Sequence, residues 1–478
     1  MSEPAGVVHD SSPFPARPYF SFLVTVICSI VVATYVGLPV GPLLRDASPL
    51  GQLDHPEESL QRLVTRELDL DEALRQNRGL EWRIYRALSG SESPIREAKG
   101  WYDELADTID SSSIELRRAI LLGESGETDR LEERIIRWKE DGDPAERMTD
   151  WLRAAYLGVA PARDTGRALI AEVRDTVEPN WFSDTLSRRI ADRIGDARAR
   201  SLAESRILAR GRVLQQRQRL LWALVAVLLL GALVALVPIL TARSSGRVAE
   251  AALPPDWSTG DGYALFVRAL GAPQAMVLVI FYFLRRETPF DSALIIAADL
   301  PVFWWVARYL KAHDNSMRAA FGLVPRRDGW PRLIGVTLLL IGIALVLDAA
   351  IDTAGTLIGL KSHWADGFSE DLLWQPRVAF VLNAFNATIW APIIEELTFR
   401  GLLYSTLRTR LGVPSSAILS AVIFALPHGY AAAGSASVLV SGVLWAVAYE
   451  RTRSVLPGLL AHSANNVLST LWVIALLR

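Results

Sequence analysis

The sequence predicts an all-α fold: a polytopic transmembrane helical bundle of about nine spans with an inserted extramembrane all-helical domain. Three observations support this prediction. Of the 478 residues, 51% are hydrophobic, slightly more than in most soluble domains. These residues form long apolar runs, as is typical of membrane spans. Residues 44–218 differ from the rest because they combine many charged residues with scattered apolar ones.

Residues 1–43 are predicted to form an N-terminal tail and a first transmembrane anchor. Residues 19–38 carry no charge, and a span needs roughly 20 apolar residues. A cleaved signal peptide is the alternative interpretation, but its apolar core would be shorter and would be followed by a small-residue cleavage site. We therefore expect an uncleaved anchor.

Residues 44–218 are predicted to be a soluble, extramembrane, all-helical domain. In stretches such as SLQRLVTRELDLDEALRQ and RLEERIIRWKE, apolar residues recur every three or four positions with opposite charges between them. Residues 91–94, 123–126 and 141–144 are rich in Gly, Pro and Ser or Asp, so they are expected to separate helices. No titratable cluster stands out here, and a spacer or docking role is expected.

The remaining chain is predicted to lie mostly in the membrane. Residues 219–289 are expected to hold the second and third transmembrane helices, beginning with LLWALVAVLLLGALVALVPIL. Residues 290–478 are expected to form a core of further spans. Two apolar windows in this core, 414–427 and 435–449, are short and rich in small residues, which is typical of helices buried among other helices.

The distribution of Lys and Arg among the short loops predicts the orientation in the membrane. Loops 311–331 and 401–413 are basic and are expected to be cytoplasmic, whereas loop 354–375 is acidic and is expected outside. Counting back through the spans places the 44–218 domain on the extracytoplasmic side.

Composition excludes several classes of partner. The net charge of −2 gives no indication of a nucleic-acid partner. The long apolar runs make the membrane the expected surroundings of the chain. The single cysteine, Cys28, excludes an internal disulfide and cysteine-based zinc sites. Two of the six histidines, His428 and His462, fall in the most apolar part of the chain.

Ionisable side chains within spanning helices are costly and by default mark function. The sequence EELTFRG, which begins at Glu395, contains two adjacent carboxylates. These point about 100° apart on a helix and so cannot have the same role. Glu396 and Arg400 are four residues apart and can form an ion pair. Glu395 is then free to face a cavity and to act as a general base.

Two further motifs follow in successive helices. FALPH places His428 at the end of a short apolar helix, where it can bind a water molecule. HSANN places His462 and Asn466 on one helix face, where they offer two donors to one point, as an oxyanion site requires. Each motif alone has an ordinary structural explanation, but the three together indicate one shared cavity.

In order and spacing, these motifs resemble the Glu-Glu-x-x-x-Arg, Phe-x-x-x-His and His-x-x-x-Asn motifs of the CAAX-protease and bacteriocin-processing (abortive-infection) family. The resemblance covers about residues 290–478. It implies an intramembrane endopeptidase that acts on a peptide or protein with a membrane-associated terminus, prenylated or not. We expect a multi-pass protein of a bacterial inner membrane.

The resemblance also assigns roles to the motif residues. Glu395, assisted by His428, would activate water, and His462 and Asn466 would stabilise the oxyanion. Glu396 and Arg400 would support Glu395. The cavity is expected to open to the cytoplasm.

Three alternatives accompany this interpretation. No cofactor is expected, but zinc is the alternative, because Glu395, His428 and His462 could supply three ligands with one open position. The alternative function is a non-catalytic membrane scaffold or bacteriocin-immunity protein of the same fold. A transporter or channel that uses the intramembrane charges is the third hypothesis.

Overall fold

The computed structural model describes residues 20–38, 49–76, 79–88, 93–141, 146–241, 247–284, 291–358, 363–365 and 368–478. All regular secondary structure in these ranges is helical, so the predicted all-α class is confirmed. The predicted N-terminal tail and the domain boundaries at 43/44 and 289/290 lie outside the described residues.

Helix α1 (Phe22–Gly37) precedes a single-turn 3-10 helix, Pro49–Gln52. Eight short helices then build the extramembrane domain: α2 (Pro56–Gln76), α3 (Leu80–Leu88), α4 (Pro94–Thr108), α5 (Ser112–Glu124), α6 (Thr128–Asp141), α7 (Glu146–Tyr156), α8 (Arg163–Thr176) and α9 (Trp181–Arg193). Apart from α3, whose Tyr85 packs in a separate cluster with Leu70, Leu74 and Leu214, their apolar faces enclose one core. Its largest fully buried side chains include Tyr102, Trp151, Trp181 and Phe182.

Helix α10 (Ala197–Thr241) is 45 residues long and runs without interruption from this domain into the membrane. Its first half packs against α2. Gly211 makes the close approach possible, because a Cβ atom there would lie 2.0 Å from the carbonyl oxygen of Asp69. The domain is therefore joined to the bundle by a continuous helix instead of a flexible linker.

The rest of the chain forms α11 (Thr259–Leu284), α12 (Asp291–Ala312), α13 (Met317–Ala320), α14 (Trp330–Leu357), α15 (Glu370–Trp374), α16 (Arg377–Leu407), α17 (Val413–Ala425), α18 (Ala432–Thr452) and α19 (Leu456–Leu476). Among the described residues, 7 helices are long and apolar enough to cross a membrane: α10, α11, α12, α14, α16, α18 and α19. Two shorter apolar helices, Phe22–Gly37 and Val413–His428, accompany them, so the bundle is consistent with the predicted number of spans.

The bundle has two distinct ends. At one end, backbone hydrogen bonds join three loops: Val248 N donates to Thr452 O (2.7 Å), Arg326 N donates to Val248 O (2.8 Å), and Val455 N donates to Phe321 O (3.1 Å). We call this the basic end, because it carries the loops rich in arginine. The opposite end, which bears the extramembrane domain and α15, is called the domain end.

The stability of the extramembrane domain is expected to depend on pH through Glu67 in α2. Burial, with the nearby Glu97 and Asp71 carboxylates, raises the pKa of Glu67 to about 8. A raised pKa in the folded state gives stability that is complete below the ordinary value of 4.5 and is lost as the pH rises through about 8. Burial raises the pKa of Asp69 to about 6, with the same sign.

We expect the unfolding temperature to fall between about pH 5 and pH 8, and the variant Glu67→Gln to show a smaller fall than the wild type. Thermal unfolding followed by circular dichroism at several pH values measures both profiles. Because Asp69 titrates in both proteins, the difference between the profiles isolates Glu67. Parallel profiles would contradict the assignment.

Candidate active site

The two adjacent glutamates lie where α16 changes its helical form. Asn386–Trp390 and Glu396–Tyr404 are π-helical, and the α-helical turn Ala391–Glu395 separates them. π-Helical turns are rare in proteins and occur frequently at functional sites. They alter the angular position of the side chains that follow, so the directions of Glu395 and Glu396 differ from those on a regular α-helix.

Glu396 and Arg400 form a fully buried ion pair. Arg400 Nη1 donates to Glu396 Oε1 at 2.9 Å, and the side chains are 1% and 0% exposed. The guanidinium also lies over the rings of Phe424 (4.4 Å) and Trp445 (5.0 Å). The pairing expected from the four-residue spacing is thus present, and two aromatic rings enclose it.

His462 lies against both glutamates. Its Nδ1 is 3.2 Å from Glu396 Oε1, and its Nε2 is 3.5 Å from Glu395 Oε2. A carboxylate without a proton only accepts hydrogen bonds, so with Glu396 ionised Nδ1 carries the proton. The ring also stacks on Trp445, with centroids 4.3 Å apart and planes at 17°. His462 therefore links the buried ion pair to Glu395.

Two glycines allow the neighbouring helices to approach this pair. A Cβ atom at Gly442 in α18 would lie 3.1 Å from Arg400 Nη2, and one at Gly458 in α19 would lie 3.2 Å from Glu396 Oε2. Both distances are shorter than ordinary van der Waals contacts. The small residues thus let the backbones of α18 and α19 pack directly against the charges.

His428 lies at the end of α17, as its motif predicts. Its Nδ1 is 2.9 Å from the carbonyl oxygen of Phe424. Because a carbonyl only accepts, Nδ1 is the donor, and the neutral ring has Nε2 free to accept a hydrogen bond. Gly429, with φ +65°, then terminates the helix; this left-handed conformation is easiest for glycine.

A cavity of about 380 Å³ lies inside the bundle at this point. Glu395, His428, His462 and Asn466 all line it. A second cavity, of about 310 Å³, also contacts Glu395, Phe424 and His428. Glu395 and His428 therefore border both cavities. A water molecule held between these two side chains would be accessible from either cavity.

Asn466 and His462 lie one turn apart in α19 but have different partners. Asn466 Nδ2 donates to the carbonyl oxygen of Ala387, in the first π-helical segment, at 2.8 Å. His462 contacts the two glutamates instead. The amide of Asn466 retains one further N–H for the cavity, so the pair does not present two free donors to one point, as the spacing had suggested.

Sequence reasoning missed several residues of the site. Trp445 stacks on His462, but nothing in its local sequence indicates this, because the contact is made across two helices. Asp299 in α12 accepts from Trp390 Nε1 in α16 at 2.9 Å and borders the second cavity with Glu395. Asp348 in α14 borders the first cavity.

The cavity opens toward the domain end. It extends past Thr470 and Val473 in the second half of α19 to Ser369 and Leu372, beside the extramembrane domain. The expected cytoplasmic opening and the expected extracytoplasmic domain therefore cannot both hold, because the opening and the domain lie at the same end.

The zinc alternative requires three donors around one point. Among the described residues, no group of three or more His, Cys, Asp or Glu side chains is arranged to hold a metal ion. Both ring nitrogens of His462 face carboxylate oxygens. The Phe424 ring also contacts both imidazoles, with centroids 5.0 Å from His428 and 5.9 Å from His462.

The fold and the site together define an integral membrane protein with carboxylates and imidazoles around a cavity within its helical bundle. Residues 377–468 match the family model described as Type II CAAX prenyl endopeptidase Rce1-like. This segment contains all three motifs, so the match agrees with the resemblance of this part of the chain to the CAAX-protease family. The match supports a membrane endopeptidase in general. Comparisons with curated proteins and with solved structures give no match.

Proposed function

We propose that this protein is an intramembrane endopeptidase in which Glu395 and His428 activate water to hydrolyse a peptide bond. The observation that supports this most directly is that both side chains border the same two cavities, with the Nδ1 of His428 bonded to a carbonyl and its Nε2 left as an acceptor. A carboxylate and a neutral imidazole that share a cavity can hold and deprotonate one water molecule.

The reaction proceeds in two steps. Glu395 takes a proton from the water, which His428 Nε2 orients, and the hydroxide adds to the carbonyl carbon of the substrate. The tetrahedral intermediate then collapses, the carbon–nitrogen bond breaks, and the proton held by Glu395 passes to the leaving nitrogen. The products are a carboxylic acid and an amine, which exchange a proton to give a carboxylate and an ammonium group, and Glu395 returns to its starting charge.

The surrounding residues hold and polarise these groups. Asn466 uses one N–H on Ala387 and offers the other to the developing oxyanion. His462, whose ring contacts both glutamates, positions Glu395. The Glu396–Arg400 pair fixes His462 through Glu396, so its effect on the reaction is indirect.

The substrate is a peptide or protein segment associated with the membrane, prenylated or not. It enters the first cavity from the domain end. Of the described residues that line this cavity, two are carboxylates, Glu395 and Asp348, and none is a lysine or arginine. Such a surface disfavours an acidic substrate residue and favours a neutral or basic one.

The preference for basic residues is expected to depend on Asp348. For two peptides that differ only in Lys or Glu at the residue bound beside Asp348, the wild type should prefer Lys. The variant Asp348→Asn should reduce the ratio of the two kcat/KM values by roughly tenfold. An unchanged ratio with intact hydrolysis would contradict the role of Asp348 but not the proteolytic function.

The function is tested by comparing membranes that contain the wild type or Glu395→Ala. Terminal proteomics should detect new amino and carboxyl termini only with the wild type, at equal amounts of folded protein. If a biological effect of the protein persists in both Glu395→Ala and His428→Ala, without any cleavage, the protein is a scaffold or immunity protein. Flux in liposomes that Glu395→Gln abolishes would instead indicate transport.

A further inference from the structure

A short segment next to the cavity connects the extramembrane domain with the proposed catalytic site. It consists of residues 368–375, which include α15, and we call it the rim segment. Leu372 is buried, at 5% exposure, and borders the cavity together with Ser369. One side of the cavity mouth is therefore built by residues that are separate from the helices carrying the motifs.

Glu370 attaches the rim segment to the extramembrane domain. Its carboxylate accepts from Asp54 N (2.6 Å), His55 N (3.0 Å) and Ser59 Oγ (2.6 Å). These donors lie at and just before the first turn of α2. The first N–H groups of a helix lack partners within the helix and favour a negative charge. Glu370 thus binds, from more than 300 positions further along the chain, the residues just before α2 and the first turn of this helix.

Neighbouring residues strengthen the attachment. Trp374 Nε1 donates to Ser59 Oγ at 3.4 Å, and the guanidinium of Arg62 lies 5.3 Å from the Trp374 ring centroid. Before the rim segment, Ala365 is buried in the core of the extramembrane domain, and Trp364 packs against that core.

The rim segment is also held from the membrane side. Arg478 Nη1 donates to the carbonyl oxygen of Leu372 at 2.8 Å, and its guanidinium lies 4.0 Å from the ring centroid of Phe380 in α16. Leu372 is therefore fixed between the extramembrane domain and the last residue of the chain, with its side chain at the cavity.

We propose that the extramembrane domain controls access to the catalytic cavity by holding the rim segment in place, with Glu370 as the positioning residue. That the cavity is catalytic depends on the function proposed above, but the control of access to it does not. Release of Glu370 from α2 removes three charge-assisted hydrogen bonds, frees the wall that contains Leu372 and widens the mouth. With Glu370 bound to α2, an element outside the membrane therefore limits the entry of substrate.

The proposal is tested by the rate of cysteine labelling in the full chain. Cys28, the only cysteine, is replaced by serine, and Ser437→Cys places one thiol on the cavity wall. A membrane-impermeant maleimide coupled to polyethylene glycol is the probe. In this background, Glu370→Ala is expected to accelerate labelling roughly tenfold, as the loss of hydrogen bonds to a charged group implies.

A control variant and a folding reference accompany this variant. Asp192→Ala removes a carboxylate of the extramembrane domain that pairs with Arg200, and should leave the rate unchanged. Lys311→Cys, an exposed position at the basic end, serves as the reference thiol, whose rate should not respond to Glu370→Ala.

A second variant keeps the test decisive if Glu370→Ala does not fold. Ser59→Ala removes the partner of both Glu370 and Trp374 without changing the charge, and it should accelerate labelling by a smaller factor. A folded Glu370→Ala or Ser59→Ala protein that labels at the wild-type rate overturns the proposal. Labelling requires no hydrolysis. A failure of the proteolytic function would therefore appear in the comparison of termini with Glu395→Ala and not in the labelling rates.

Discussion

Replacing Glu395 with glutamine is expected to reduce kcat for peptide hydrolysis by about 10²–10⁴-fold, the usual contribution of a general base. Glutamine has nearly the same shape but cannot take the proton from water. KM should change little, because Glu395 is one of many residues that line the cavity. Initial rates with a cleaved peptide, over a range of concentrations, separate the two constants.

Two controls show whether the loss is chemical. The Glu395→Gln protein should unfold at a temperature close to that of the wild type, because the Glu395 side chain is 30% exposed and is not part of the buried ion pair. His428→Ala should reduce kcat by a similar factor. Hydrolysis within a few-fold of the wild-type rate in either variant would remove the proposed mechanism.

Replacing Arg400 with leucine is expected to destabilise the folded protein by about 3–5 kcal/mol. The reason is that Glu396, which is 0% exposed, would keep its charge inside the bundle without its cation. The contacts of the guanidinium with Phe424 and Trp445 would also be lost. Thermal or denaturant unfolding of the purified protein in detergent measures the change.

The double variant Glu396→Gln/Arg400→Leu should recover part of this loss, because no uncompensated charge is then buried. Arg130→Leu is the matched control: Arg130 pairs with Glu127 three residues earlier, but its side chain is 70% exposed. Exposed pairs contribute about 0–1 kcal/mol, so this variant should unfold almost as the wild type does. Equal effects of Arg400→Leu and Arg130→Leu would contradict the argument.

Local sequence patterns were sufficient for the spans and for the partners within one helix. Long apolar runs correspond to the helices that can cross a membrane, because the bilayer thickness sets their length. The spacing of Glu396 and Arg400 gives their ion pair directly, since positions four apart adjoin on a helix. For His462 and Asn466, the spacing gives their common face but not the groups that this face meets.

The sequence alone therefore determined the helical class, the membrane location and the set of polar residues in the last third of the chain. Each of these follows from periodicity, length or the cost of charge in lipid. Only the tertiary structure decided that His462 contacts both glutamates, that Trp445 stacks on it, and that the cavity opens beside the extramembrane domain. These contacts join residues far apart in the chain. Their distances are set by the packing of helices, and no local sequence pattern encodes that packing.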